Sequence, residues 1–156
     1  MRTENGFREE YWFLSNFSLS PIRLIRNHRT YVFPTGEHAF HAGKSKFAAP
    51  RFEVETWLEE LETTPTPNAA KRLGRLIPIN VSAWDAYSYK HMSMVVYAKF
   101  TQNPELAEAL KATGDIELVE LNDWGDKLWG VDSRNGQGRN QLGHILMDLR
   151  SQLAGL

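Results

Sequence analysis

Helix-start signals recur along the chain from residue 35 onward, and they constrain the fold more than any other feature. A short polar side chain just before a helix accepts a backbone amide hydrogen that the helix cannot satisfy. Thr66 precedes Pro67 and Asn103 precedes Pro104, and proline is favoured at the first helical position. Helices are predicted after Thr35, over 52–61, 68–76 and 82–100, from Pro104 to a C-terminal cap at Gly114, and after Asn140.

The N-terminal third carries strand and turn patterns instead. Pro21–Ile25 alternates in polarity, Asn27-His28 can turn the chain, and Thr30–Phe33 favours a strand, which together predict a hairpin. Two further short strands are predicted, over Tyr11–Leu14 and Ile116–Leu121, the second followed by a Gly- and Trp-rich loop over 122–139. Because helices and strands do not alternate, we expect an α+β fold, a predominantly helical single domain over residues 1–156 with a small antiparallel sheet near the N-terminus.

Composition narrows the function classes. Hydrophobic residues make up 42% of the 156 residues, which is enough for a packed core. The formal net charge of −1 gives no overall basic footprint for nucleic acid, although a local basic patch stays open. The absence of cysteine excludes disulfides and thiolate catalysis. No apolar stretch approaches the roughly 20 residues that a membrane span needs. We therefore expect a cytoplasmic protein without membrane association.

The densest polar cluster lies at 37–44. On a continuous helix Glu37, His41 and Lys44 would fall on one face, with Glu37 in the first turn, where the helix dipole favours a negative charge. An ionised carboxylate is suited to stabilising an oxocarbenium ion. The alternative is an exposed face with a Glu37–Lys44 ion pair. A zinc site is disfavoured, because His38 and His41 are three residues apart rather than four.

Basic and aromatic residues supply candidate contacts for a phosphorylated nucleoside. Lys71, Arg72 and Arg75 could grip a phosphate or form an ordinary solvated helix face. Trp84 has the helical spacing of a core residue, but it could also stack on a base. Large aromatic residues in Gly-rich loops more often line binding sites, which favours Trp124 and Trp129. The same loop supplies the carboxylates of Asp123, Asp126 and Asp132 and a possible anion site at 136–140.

Several motifs occur in a fixed order along almost the whole chain, which makes them more specific together than singly. They are Phe13–Phe17, Phe33–Phe40, Ala42–Lys44, Ala70–Arg75, Trp84, Lys99-Phe100, Asn103–Leu106, Thr113–Asp115, Leu118–Glu120, Trp124–Asp126, Leu128–Gly130, Gly138–Gly143 and Leu146–Arg150. In this order the chain resembles the NADAR (YbiA-like) family.

The resemblance implies an N-glycosidase that needs neither metal nor cofactor. Its substrate would join a phosphorylated ribose to a base nitrogen. The two expected classes are ribosylamino-pyrimidine phosphates of riboflavin biosynthesis and ADP-ribose on a nucleobase, including ADP-ribosylated nucleic acid. A binding module that recognises ADP-ribose without cleaving it is the alternative, but it would need no carboxylate at the anomeric carbon. The sequence does not indicate an oligomeric state.

The resemblance also implies roles for individual residues. Glu37 and Asp126 are the expected catalytic carboxylates, and Lys44 is the expected catalytic lysine. Attack by water and attack by Lys44 through a Schiff base both stay open. The substrate-binding residues are predicted to be Asn16, Arg72, Arg75, Trp84, Trp124, Trp129, Arg139 and Asn140.

Overall fold

A computed structural model describes residues 1–155. These residues form two compact units, one comprising Leu19–Gln102 and the other Met1–Ser18 with 103–155. The assignment of the whole chain to one domain stays a prediction. No helix in this part of the chain is both long enough and apolar enough to cross a membrane.

The Leu19–Gln102 unit begins with the predicted hairpin. Strands β1 (Leu19–Arg26) and β2 (Arg29–Thr35) pair antiparallel. The two residues that connect them, Asn27 and His28, have φ values of 49° and 65°. Positive φ at both central positions defines a type I′ turn, whose twist matches that of the flanking strands, and asparagine tolerates this conformation. The predicted hairpin is therefore confirmed.

Four α-helices follow the hairpin in this unit, and a threonine side chain caps the start of two of them. The Thr35 hydroxyl accepts the His38 amide, as predicted, and the Thr66 hydroxyl accepts the Ala69 amide at 3.1 Å. The helices are α1 (Gly36–Ala42), α2 (Val54–Thr63), α3 (Pro67–Leu76) and α4 (Val81–Gln102). Helix α1 packs against β2, α3 and α4, and its inward face joins a core that includes Phe33, Leu58 and Val95.

The unit formed by Met1–Ser18 and 103–155 contains two α-helices, α5 (Pro104–Ala112) and α6 (Gln141–Ala154). Gly114 follows α5 with φ of +66°, the left-handed conformation predicted for its C-terminal cap. A parallel pair of two-residue strands, β3 (Leu121–Asn122) and β4 (Val131–Asp132), brackets residues 123–130 of the Gly- and Trp-rich loop. This first half of the loop is therefore anchored at both ends.

Two strand predictions are wrong in this unit. Residues Glu9–Leu14 form a 3₁₀ helix rather than a strand. Only Leu121 and Asn122 form a strand where Ile116–Leu121 was predicted. The preceding segment instead pairs with the N-terminus through an isolated bridge between Arg2 and Glu117 and through the Thr3 side chain, which bonds to the backbone of Val119. The predominantly helical α+β fold with a small antiparallel sheet near the N-terminus is confirmed.

Candidate active site

Glu37 lies in the first turn of α1, where the positive end of the helix favours its negative charge. Its carboxylate oxygen Oε1 bonds to His41 Nε2 at 2.9 Å, one helical turn further on. The side chains of Glu37 and His41 are only 13% and 8% exposed. This face of α1 is therefore enclosed by protein, and the interpretation as an exposed face with a Glu37–Lys44 ion pair is wrong.

The sequence predicted that Lys44 continues α1, but the structure places it outside this helix. The α-helix ends at Ala42, and Lys44 lies in a 3₁₀ segment, Gly43–Phe47. Its ammonium donates to the carbonyl of Gly74 in α3 at 2.8 Å. Burial lowers the pKa of Lys44, the negative charge of Glu37 opposes that effect, and Arg75 adds to it. A lysine that loses its proton more easily is a better nucleophile.

The Glu37 cluster, which comprises Glu37, His41, Lys44 and Gly74, is therefore drawn from α1, the 3₁₀ segment and α3. Gly74 contributes in two ways. Its carbonyl holds Lys44, and its missing side chain makes room for His41, since a Cβ atom there would overlap the imidazole. Sequence reasoning missed this residue because an isolated glycine in a helix signals close packing without naming the partner.

Trp84 is only 7% exposed and belongs to a buried aromatic group on α4 and its neighbours. Its ring centroid lies 5.2 Å from that of Phe40 and 5.8 Å from that of His91. The ammonium of Lys44 lies 5.8 Å from the Trp84 centroid. This geometry favours a packing role beside the Glu37 cluster, and base stacking by Trp84 stays a prediction.

His91 lies beneath α1 as a neutral side chain, and sequence reasoning did not single it out. Its Nε2 donates to the Ala39 carbonyl at 3.0 Å, while its Nδ1 accepts from Arg26 at 2.9 Å. Burial, followed by the positive charge of Arg26, lowers the pKa of His91 to about 4. The His91 imidazole that bonds to α1 is therefore uncharged at neutral pH.

His38 points away from the Glu37 cluster. Its Nδ1 bonds to the Thr35 hydroxyl at 2.7 Å and its Nε2 donates to the Thr64 carbonyl at 2.9 Å. Both ring nitrogens are therefore occupied. Among residues 1–155, no three His, Asp or Glu side chains are grouped closely enough to hold a metal ion.

The α3 cations differ in exposure. Arg72 and Arg75 are exposed, whereas Lys71 is half-buried. Arg75 lies close enough to Lys44 to affect its pKa, so its positive charge adjoins the Glu37 cluster. An exposed guanidinium is available for a phosphate, and binding of phosphate by Arg72 and Arg75 stays a prediction.

Asp126 is held rigidly within the Gly- and Trp-rich loop of the second unit. Its Oδ1 accepts the amides of Leu128 and Trp129, both at 3.0 Å. The Asn122 side chain makes two hydrogen bonds to the Asp126 backbone: its Oδ1 accepts from the amide at 2.9 Å, and its Nδ2 donates to the carbonyl at 2.8 Å. The predicted catalytic carboxylate therefore has one oxygen engaged and a fixed orientation.

Glu120 is a titratable neighbour of Asp126 that sequence reasoning did not single out. Burial and then the charge of Asp126 raise the pKa of Glu120 to about 7, although Arg8 opposes them. A carboxyl group with such a pKa can donate or accept a proton near neutrality. The available signal was a carboxylate within the apolar run Leu118–Leu121.

The other predicted binding residues of this unit have different environments. Trp124 is 60% exposed, Arg139 is exposed, and Trp129 is half-buried. Asn16 is buried, as is Asn140. Their contacts with substrate stay predictions.

Asn140 occupies the position before α6, but it does not cap the helix with its side chain as expected. Its side-chain Nδ2 donates to the Leu118 carbonyl at 2.9 Å, and its side-chain Oδ1 accepts from the Glu120 backbone amide at 3.0 Å. Asp132, another loop carboxylate, accepts two hydrogen bonds from the Arg134 guanidinium, at 3.0 and 2.9 Å, and one from the Arg134 backbone amide at 2.9 Å. These contacts give both residues structural roles within the unit.

The sequence model of the NADAR domain matches residues 3–154. The chain belongs to the NADAR family. The family member N-glycosidase YbiA of Shigella flexneri serotype 5b (strain 8401) is 37% identical over 148 residues, which are 94% of this chain and 84% of that protein. The chloroplastic riboflavin biosynthesis protein PYRR of Zea mays is 31% identical over 147 residues, which are 90% of this chain and 23% of that protein.

A solved structure agrees with these relatives. The NMR structure of the E. coli protein YbiA has a TM-score of 0.74 and 35% sequence identity to this chain. The match covers 96% of this chain and 82% of that one. The NADAR membership predicted from the order of the motifs is therefore confirmed.

Proposed function

We propose that this protein is an N-glycosidase that hydrolyses the bond between a phosphorylated ribose and a base nitrogen. The observation that carries the proposal is the Glu37 cluster, in which an enclosed carboxylate lies near a lysine whose pKa is lowered by burial. The 37% identity to N-glycosidase YbiA supports the same reaction class.

The cluster suits the charge changes of this reaction. When the bond from the anomeric carbon C1 to the base nitrogen breaks, its electron pair leaves with the base, which takes up a proton. Positive charge develops on C1 and the ring oxygen, and the Glu37 carboxylate stabilises it. A water oxygen then bonds to C1 and loses a proton, which yields the ribose phosphate.

Lys44 offers a second route to the same products. Its neutral amine attacks C1 as the base leaves, and opening of the ribose ring gives a Schiff base between Lys44 and C1. Water hydrolyses the Schiff base, which frees the lysine and the sugar. The lowered pKa of Lys44 supports this route because more of the amine is uncharged at neutral pH.

Ribosylamino-pyrimidine phosphates are the primary substrate class of the proposal, supported by the relative named for riboflavin biosynthesis. ADP-ribose on a nucleobase, in a nucleotide or in nucleic acid, is the second class. The exposed Arg72 and Arg75 of α3 are suited to a diphosphate. A module that only binds ADP-ribose would have no use for an enclosed carboxylate beside a reactive lysine.

The test incubates the protein with a ribosylamino-pyrimidine 5-phosphate and, separately, with an ADP-ribosylated guanine oligonucleotide. Chromatography with mass detection follows the release of base and sugar phosphate. We expect Glu37→Gln to lower kcat by about 10²–10³-fold, as other single electrostatic deletions do. The matched control is Glu60→Gln, which removes an exposed carboxylate of α2. Binding of either substrate without base release by the wild type would refute the enzyme proposal.

Borohydride reduction separates the two routes. On the Lys44 route, reduction during turnover traps a covalent adduct on the wild type and none on Lys44→Ala. The control is Lys46→Ala, which removes the exposed lysine of the same 3₁₀ segment. Turnover by the wild type with no trapped adduct would indicate attack by water.

A further inference from the structure

The hydrogen bond between Glu37 and His41 engages one carboxylate oxygen of Glu37. The other oxygen is available to a ligand. Oε1 is bound to His41 Nε2 at 2.9 Å, and the Glu37 side chain makes no other hydrogen bond within residues 1–155. Both side chains are largely buried. Because water competes poorly at such a site, this contact controls the orientation of the carboxylate.

The second nitrogen of His41 identifies the tautomer. Nδ1 is buried and has no hydrogen-bond partner within the described residues. An N–H group there would be an unsatisfied buried donor, which is rarer in proteins than an under-satisfied acceptor. The proton therefore lies on Nε2, and the imidazole donates it toward Glu37.

Gly74 determines where the imidazole lies. The ring of His41 occupies the space that a side chain at position 74 would fill, and the carbonyl of the same residue binds Lys44. Alanine would be favoured over glycine by about 1 kcal/mol in a helix interior on intrinsic propensity alone. The close approach at Gly74 therefore couples the positions of His41 and Lys44.

We propose that His41 is a positioning residue that holds the Glu37 carboxylate in its reactive orientation, with Gly74 locating His41 and Lys44 together. The inference rests on the proposed function. The inference goes beyond the proposed function by assigning two residues, His41 and Gly74, that act through Glu37 and Lys44 rather than on the substrate.

The test compares His41→Leu, which removes the donor at similar size, with His41→Gln, whose amide can still donate toward Glu37. We expect kcat to fall by about 10-fold or more in His41→Leu, with KM within about twofold, because one charge-assisted hydrogen bond is lost. His41→Gln should recover most of kcat. A merely structural role would give both variants the same kcat and reveal itself only in the melting temperature.

A double-mutant comparison makes the test specific to Glu37. If His41 acts through Glu37, adding His41→Leu to Glu37→Gln should cause no further loss of kcat. Should His41→Leu fail to fold, His41→Met takes its place as a flexible apolar variant without a donor. Wild-type kcat in a folded Leu or Met variant, or an additive loss in the double mutant, would overturn the inference. Wild-type kcat in Glu37→Gln would instead overturn the catalytic role in the proposed function.

Discussion

Glu120 gives the protein a pH-dependent stability that one substitution should remove. Burial and the nearby charge of Asp126 raise the pKa of Glu120 from 4.5 to about 7. The folded state therefore holds this proton more tightly than the unfolded chain does. Stability from this group is complete below about pH 4.5, declines as the pH rises toward 7, and is absent above pH 7.

The pKa difference sets the size of the effect. At about 1.4 kcal/mol per pH unit, the interval from 4.5 to about 7 corresponds to roughly 3 kcal/mol of the free energy of unfolding. Glu120→Gln keeps the shape of the side chain but cannot ionise. We expect the variant to match the wild type near pH 4.5 and to be more stable by up to about 3 kcal/mol at pH 8.5.

Urea denaturation at several pH values between 4.5 and 8.5 measures this difference. The wild-type profile alone is insufficient, because His91 also makes stability depend on pH. Its pKa is lowered to about 4, so its contribution to the free energy of unfolding is lost as the pH falls from about 6.5 to 4, opposite in direction to that of Glu120. Subtracting wild type from variant cancels that contribution. Glu117→Gln, at an exposed position in the same segment, is the matched control and should leave the profile unchanged.

A pH-independent difference between Glu120→Gln and the wild type would refute the argument. So would a variant that is less stable than the wild type at pH 8.5. Either result would mean that the Glu120 carboxyl ionises in the folded protein as readily as in the unfolded chain.

Three further predictions concern the predicted site residues, and a fourth concerns metal. Trp84→Ala should lower the free energy of unfolding by about 3–5 kcal/mol in urea titrations because the ring is buried, whereas Trp124→Ala should change it by less than about 0.5 kcal/mol; equal losses would contradict this. Asn140→Ala should lower the free energy of unfolding by about 1–3 kcal/mol in the same assay, because the buried Leu118 carbonyl and the partly buried Glu120 amide lose their partner, and an unchanged unfolding midpoint would count against it. Arg72→Ala should raise KM with little change in kcat if the guanidinium binds phosphate equally in the ground and transition states; an unchanged KM would indicate a solvated helix face. Turnover should persist in excess EDTA, and a loss restored by zinc or magnesium would reject the metal-independent mechanism.

The features that were predicted from the sequence depend on neighbouring residues. A hydroxyl at Thr35 or Thr66 reaches an amide three residues ahead, and the Asn27-His28 turn connects adjacent strands. These interactions need no distant partner, so local patterns indicate them. The family could likewise be predicted from the sequence, because the order of the motifs is a property of the linear chain.

The tertiary structure alone decided which side chains are buried and what they meet. Lys44 left the predicted helix face and bonded to a carbonyl 30 residues away. Asn140, predicted as a cap, ties together backbone groups about 20 residues earlier. These partners are distant in sequence, so no local pattern specifies them.

The electrostatic properties depend on the fold for the same reason. The pKa of Glu120 rises and that of His91 falls because burial removes water that would solvate the charged form. The sequence determined which groups can ionise and, through local capping, where Glu37 enters its helix. The long-range packing that excludes water from those groups, and places Gly74 against His41, exists only in the folded chain.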